Sequence, residues 1–135
     1  MSALVYLRWN SIALTGVTMD PLKRRCTDDD MRRFLKAMNL LRVMDREVPG
    51  QVVAAFAYVA SHNGCHKQAL EEDLGLSTAS GSRTTDWLSK THRLGKAGFN
   101  LIKKEDDPTN TRRKILTLTR EGELLAQQMK DILYG

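Results

Sequence analysis

NLIKKEDDPTNTRRKILTLTREG, from Asn100 to Gly122, reads as two short strands around a basic, turn-rich tip, followed at once by a helix start. Leu101 and Ile102 open one apolar run, and Ile115, Leu116 and Leu118 make the other. Between them Asp107-Pro108 and Thr109-Asn110 carry turn chemistry, because proline pre-sets φ and Asp or Asn tolerates tight bends. Lys103, Lys104, Arg112, Arg113 and Lys114 flank the tip. A charged hairpin finger next to a helix-turn-helix is a device for touching nucleic acid, and the preceding residues supply that second element.

Upstream, His66 to Leu74 reads as a short helix with Leu70 and Leu74 facing inward. Gly75 stands where a left-handed residue closes a helix, Leu76 plugs the corner, and Ser77 caps a second helix running to about Lys90. Helix, glycine turn, apolar plug and Ser-capped helix follow the helix-turn-helix order. The second helix offers Ser77, Thr78, Ser80, Ser82, Arg83, Thr84 and Lys90 as polar contacts. Short hydroxyls suit base edges and phosphates alike, and Arg83 can fork onto a guanine. Serine, threonine and Gly81 are weak helix formers, and close approach to a DNA backbone justifies them. Thr91 to Gly98 is polar, basic and glycine-bearing, and reads as a loop or frayed turn.

Thr27 to Asp30 starts an earlier helix, with carboxylates at the positive end of its dipole. Met31, Phe34, Leu35, Met38 and Leu41 recur at helical spacing to about Asp45. Pro49 suits the first position of the next helix, and Asn63-Gly64 ends it. Val52, Val53, Phe56, Val59 and Ala60 form its stripe, and Ala54, Ala55 and Ala57 make it apolar almost all round, so it is expected at the buried centre. After the hairpin, Thr119 caps a last helix with the stripe Leu124, Leu125, Met129, Ile132 and Leu133. Residues 1–19 alternate at Val5, Leu7 and Trp9 and again at Ile12 and Leu14, which fits a small hairpin or a helix. The expected organisation is an N-terminal extension over 1–26, a hairpin or a dimerisation element, and one domain over 27–135.

Between Ser77 and Arg120, ten Lys/Arg stand against four Asp/Glu, a balance of +6, while the rest of the chain has eleven against twelve. Charge gathered on one functional half points to a polyanionic partner, although a solvated charged face gives the same asymmetry. Cys26 and Cys65 make no disulfide framework and suit a reducing cytosol. The first residues are too interrupted by Arg8 and Asn10 to span a bilayer, so a cytoplasmic protein without membrane contact is expected. His62, Cys65 and His66 crowd a helix end but match no closed zinc spacing, and no metal or cofactor is expected. No glycine loop for nucleotides or spaced catalytic set is present, Asp28 to Asp30 belong to a helix start, and Glu71 to Asp73 read as a solvated face. An enzyme is not expected.

From about Asp28 to Leu133 the chain resembles the MarR family of winged helix-turn-helix transcriptional regulators. The likeness rests on Asp106-Asp107-Pro108, Asn110-Thr111-Arg112, Leu118-Thr119-Arg120-Glu121-Gly122, the segment LEEDLGLS, and Asp86 and Leu88 in the second helix. The resemblance implies a mainly α winged helix-turn-helix with a two-stranded β wing. It implies a homodimer on a pseudo-palindromic operator, with recognition helices in adjacent major grooves and Arg112 in the minor groove. Such a groove attracts guanidinium, and Arg113 and Lys114 can hold phosphates. Dimerisation is expected through the first and last helices. The family often binds small aromatic effectors, and some members sense oxidants through an N-terminal cysteine, which singles out Cys26. This chain departs from the pattern at Asn110, where an acid is usual, at Gly81 and Thr85, where bulkier apolar groups pack, and over Thr91 to Gly98, where it carries extra residues.

The expected function is therefore sequence-specific binding of double-stranded DNA as a transcriptional regulator, a dimeric repressor. Its contact residues would be Ser77, Thr78, Ser80, Ser82, Arg83, Thr84, Lys90, Lys103, Lys104, Asn110, Arg112, Arg113 and Lys114. The alternative is a winged-helix protein-interaction module docking on a polymerase or replication complex, since fold does not fix function.

Overall fold

Asp28 opens the first helix, α1 (Asp29–Arg42), by accepting the Met31 amide on its side chain at 3.1 Å, with Asp29 and Asp30 at the positive end of the dipole. The computed structural model describes residues 24–90, 95 and 97–135. The expectations for residues 1–19, and most of those for the Thr91–Gly98 loop, fall outside them. The chain divides into two compact units, one from Pro49 to Glu123, the other made of the segments ending at Val48 and beginning at Leu124.

The 49–123 unit carries the motif. Helix α2 (Gly50–Ser61) starts after Pro49, which takes the N-cap position rather than the first helical one. Its Val52, Ala55, Phe56 and Val59 are buried, while Ala54 and Ala57 face solvent. Small alanines tolerate either side, so composition overstated how far this helix is enclosed. Strand β1 (Cys65–His66) follows, then α3 (Lys67–Leu74). Gly75 adopts φ 67° and ψ 36°. Its amide bonds the Glu72 carbonyl at 3.3 Å and the Leu76 amide bonds that of Glu71 at 2.8 Å. These two crossed bonds form a Schellman turn, which needs a residue comfortable at positive φ.

Ser77 then caps α4 (Thr78–Leu88) by accepting the Ser80 amide at 3.1 Å. The far end of α4 is closed by the returning chain. The amides of Phe99, Leu101 and Asn100 bond the carbonyls of Trp87, Leu88 and Ser89 at 2.9, 2.8 and 3.1 Å. That return satisfies carbonyls which every helix end leaves open and hands the chain to β2 (Ile102–Asp107) and β3 (Asn110–Leu118).

The sheet is antiparallel with order β1-β3-β2. The expected two-stranded wing thus gains a third, two-residue strand, pairing Cys65 with Leu116 and His66 with Ile115. Leu70, Leu88, Leu101, Ile102 and Leu116 join the α2 residues in the core of this unit, each at 1% exposure or less. Thr119 starts α5 (Arg120–Tyr134): its hydroxyl accepts the Gly122 amide at 3.0 Å and donates to the Asn100 carbonyl at 2.7 Å.

In the other unit, Leu41 and Leu125 are fully buried, whereas Met31, Phe34 and Leu35 of α1 and Tyr134 of α5 lie exposed. Helix α1 ends at Arg42, short of the expected Asp45. Among the described residues no helix is long and apolar enough to cross a membrane.

Candidate nucleic-acid interface

The hairpin tip is shaped by its register. Asp106 pairs with Lys114 and the next residue, Asp107, pairs with Asn110. One step on β2 is therefore matched by four on β3, and Thr111, Arg112 and Arg113 bulge out of the ladder. A bulge re-aims side chains and sharpens the local twist, and here it carries both arginines. The Asn110 side chain accepts the Arg112 backbone amide at 3.1 Å. The Arg112 and Arg113 side chains are exposed and make no hydrogen bond or ion pair among the described residues.

Asp107 fixes the tip from below. Its Oδ2 lies 2.8 Å from His66 Nε2, and its Oδ1 accepts the Thr109 amide at 2.9 Å and hydroxyl at 2.8 Å. The His66 contact foremost, then the two Thr109 donors, hold its carboxyl down at about 2 from an ordinary 3.8. A depressed carboxyl contributes stability that is present above its unfolded value and lost as pH falls through the folded one. The stability advantage of wild type over Asp107→Asn should therefore shrink between about pH 4 and about pH 2. Urea unfolding at stepped pH reads this out; a difference that stays constant across that window would break the His66–Asp107–Thr109 assignment.

A cleft of about 430 Å³ opens between α4 and the wing, lined by Lys67, Gln68, Glu71, Thr78, Ser82, Lys104 and Arg112 to Lys114. Of the residues singled out in the sequence, Thr78, Ser82, Lys104, Arg112, Arg113 and Lys114 thus share one concavity. Ser77 spends its hydroxyl on the helix cap, and Ser80 accepts Arg83 at 3.0 Å. Arg83 and Lys90 are exposed, Lys90 just past the end of α4. Lys103 is exposed on β2, 4.0 Å from Glu105.

Thr84 requires a correction. It is buried at 2% exposure, and its hydroxyl accepts Gln51 Nε2 at 2.6 Å. Its side chain serves the packing of α4 on α2 and is withdrawn from the outer face. Thr85 is also fully buried and returns its hydroxyl to the Gly81 carbonyl at 2.8 Å, so a polar residue fits an apolar site by bonding its own helix.

The expectation of a solvated face over Glu71 to Asp73 fails at Glu71, which is buried at 8% exposure. It pairs with Lys67 one turn earlier, and Lys67 Nζ also lies 3.5 Å from the Thr78 carbonyl. A β-carbon at position 81 would overlap the Glu71 carboxyl, which explains a glycine in the middle of α4. Glu72 and Asp73 are exposed as expected, although Asp73 accepts the Tyr58 hydroxyl at 2.6 Å. Gly81→Ala is expected to cost about 1–3 kcal/mol in wild type by overpacking. In a Glu71→Ala background the same change should stabilise by up to about 1 kcal/mol through helix propensity. Chemical denaturation of the four proteins tests this; a loss in both backgrounds would mean that something other than Glu71 fills the notch.

Sequence reasoning also missed Lys67, Gln68 and the partner of Lys104. Lys104 Nζ lies 2.8 Å from Asp86 Oδ1, tying β2 to α4. The Lys67/Glu71 spacing is a helical i,i+4 pair and was legible, but nothing local marks it as buried. His62 stacks on Tyr58 with ring centroids 4.4 Å apart, and burial pushes the Cys65 thiol up. Cys26 is exposed, its Sγ donating to the Asp28 carbonyl at 3.4 Å.

The chain is structurally similar to the PcaV transcriptional regulator from Streptomyces coelicolor, at 22% identity over 76% of this chain and 71% of that one, TM-score 0.54. The same regulator in complex with its natural ligand matches at 20% identity over 82% and 78%, TM-score 0.51. MarR matches at 23% identity over 73% and 75%, TM-score 0.49. No protein-family model matches the sequence, and no curated protein does. The PcaV likenesses, with the observed order of elements, show a winged helix-turn-helix fold; the MarR score is too low to add to that.

Proposed function

We propose that this protein is a sequence-specific, duplex-DNA-binding transcriptional regulator of the MarR type, acting in the cytoplasm as a homodimeric repressor and answering to a small-molecule effector. The observation that carries the reading is the cationic cleft between α4 and the wing, where Thr78 and Ser82 face Lys104, Arg112, Arg113 and Lys114. Hydroxyls on a helix suit base edges and phosphates, and free guanidinium groups on a projecting bulge suit a narrow groove. The first and last described helices support the dimer through Met31, Phe34, Leu35 and Tyr134, large apolar groups that a single chain leaves in water. The solved PcaV–ligand complex supports an effector. Ser77, Ser80, Arg83, Lys90, Lys103 and Asn110 complete the proposed contact set; buried Thr84 is not in it, nor is Lys104, which lines the cleft while paired with Asp86.

The decisive experiment titrates random-sequence duplex DNA against the protein at several salt concentrations, then selects bound sequences from a random pool while the protein's mass is measured in solution. Log affinity falling linearly with log salt, a two-fold symmetric selected site and a dimeric mass are the expected results. Salt-insensitive association with a protein partner, with no binding to duplex DNA, would replace this function with the protein-docking one.

A further inference from the structure

The cations around the cleft fall into two classes. Lys67, Lys104 and Lys114 are each paired with a carboxylate of the same chain, Glu71, Asp86 and Asp106 respectively. Arg112 and Arg113 have no side-chain partner among the described residues. The Lys114–Asp106 pair is about half exposed on both sides, so solvent weakens it. The Lys104–Asp86 pair is different: its side chains are only 20% and 22% exposed, and it bridges the wing to the helix that would read bases.

We infer that Asp86 is a specificity-determining residue, one that holds Lys104 away from the phosphates of any duplex and so keeps sequence-independent affinity low. The inference rests on the DNA-binding reading and deepens it. Non-specific binding is set almost wholly by how many cations meet phosphates. A lysine in a partly buried pair can reach a phosphate only by leaving its carboxylate uncompensated in a poorly solvated place, next to a polyanion. The Arg112 and Arg113 guanidiniums break no such pair on meeting phosphate. Discrimination is a ratio of affinities, and lowering the generic one raises it as effectively as improving the specific one. Asp86 therefore works through Lys104 as a positioning group.

The test compares wild type, Asp86→Asn and the double variant Asp86→Asn/Lys104→Gln on random-sequence duplex DNA across a salt series. Freeing Lys104 in Asp86→Asn should add one phosphate contact per protomer. The log–log salt slope should steepen by about 0.9 and affinity should rise roughly eightfold at about 0.1 M salt. The double variant, with both charges gone, should return to the wild-type slope. A slope shallower than wild type by about 0.9 in the double variant would show that Lys104 already binds phosphate, and the inference would fall. It would fall equally if folded Asp86→Asn bound no more tightly than wild type. If Asp86→Asn does not fold, the double variant's slope decides alone, by the same criterion. Wild type that shows no salt-dependent binding would instead remove the DNA-binding reading itself, a result distinct from either.

Discussion

Gly122→Ala is expected to destabilise the protein by about 3 kcal/mol, the upper end of the usual cost of forcing extra atoms into a packed site. A β-carbon there would overlap the Leu101 carbonyl oxygen. That oxygen is backbone, and it already accepts the Thr119 amide at 3.0 Å. Leu101 is itself fully buried, with its own amide bonded to Leu88 at 2.8 Å. No flexible side-chain end can swing aside, so relief means displacing the junction of the wing, α4 and the start of α5 together. The gain in helix propensity from Gly to Ala, about 1 kcal/mol at most, offsets only part of this. Gly50→Ala is the control, because nothing lies within contact of a β-carbon at that helix start. Urea unfolding should show Gly122→Ala strongly weakened and Gly50→Ala unchanged or slightly stabilised. Equal behaviour of the two would refute the close approach of α5 to Leu101.

The double variant Arg112→Ala/Arg113→Ala is expected to lose roughly sixtyfold in affinity for duplex DNA per protomer at about 0.1 M salt, with the log–log salt slope shallower by about 1.8. Both guanidiniums project from the three-residue bulge and make no hydrogen bond or ion pair among the described residues, so their removal should leave the unfolding free energy within about 0.5 kcal/mol of wild type. Stability and binding are thereby separated. A large loss of affinity at unchanged slope would mean that the arginines act on the shape of the wing and leave the charge of the complex alone.

Much of this fold was legible because its grammar is local. Gly75, Leu76 and Ser77 specify a turn and a cap within three adjacent residues; Gly75 and Ser77 behave as their chemistry requires, and half-buried Leu76 supplies the amide that closes the turn. Thr119 and Gly122 mark the start of the last helix just as locally. What sequence could not supply depends on distant partners. Strand β1 is two residues long and exists only because β3 runs beside it, so no periodicity announces it. The burial of Glu71 depends on a glycine ten positions later.

Thr84 illustrates a different failure. Gly81, Thr84, Thr85 and Leu88 are the buried residues of α4, at the i, i+3, i+4, i+7 spacing of an inward helix face. The period was present, but three of its four members are not apolar, so a pattern sought through hydrophobicity passed over it. Within the candidate interface, residue type could only single out the cations. It said nothing of which were already engaged by carboxylates, a property of tertiary packing alone.

The Gly98 amide bonds the Lys90 carbonyl at 3.0 Å, the outermost of four backbone bonds by which the returning chain closes over the end of α4. Because those bonds set the registers of α4 and β2, a longer connection between positions 90 and 98 would add only about 0.6 kcal/mol for each doubling of its length. This junction is thus a graft site, where a reporter peptide or a fluorophore could be carried without displacing α4 or the wing.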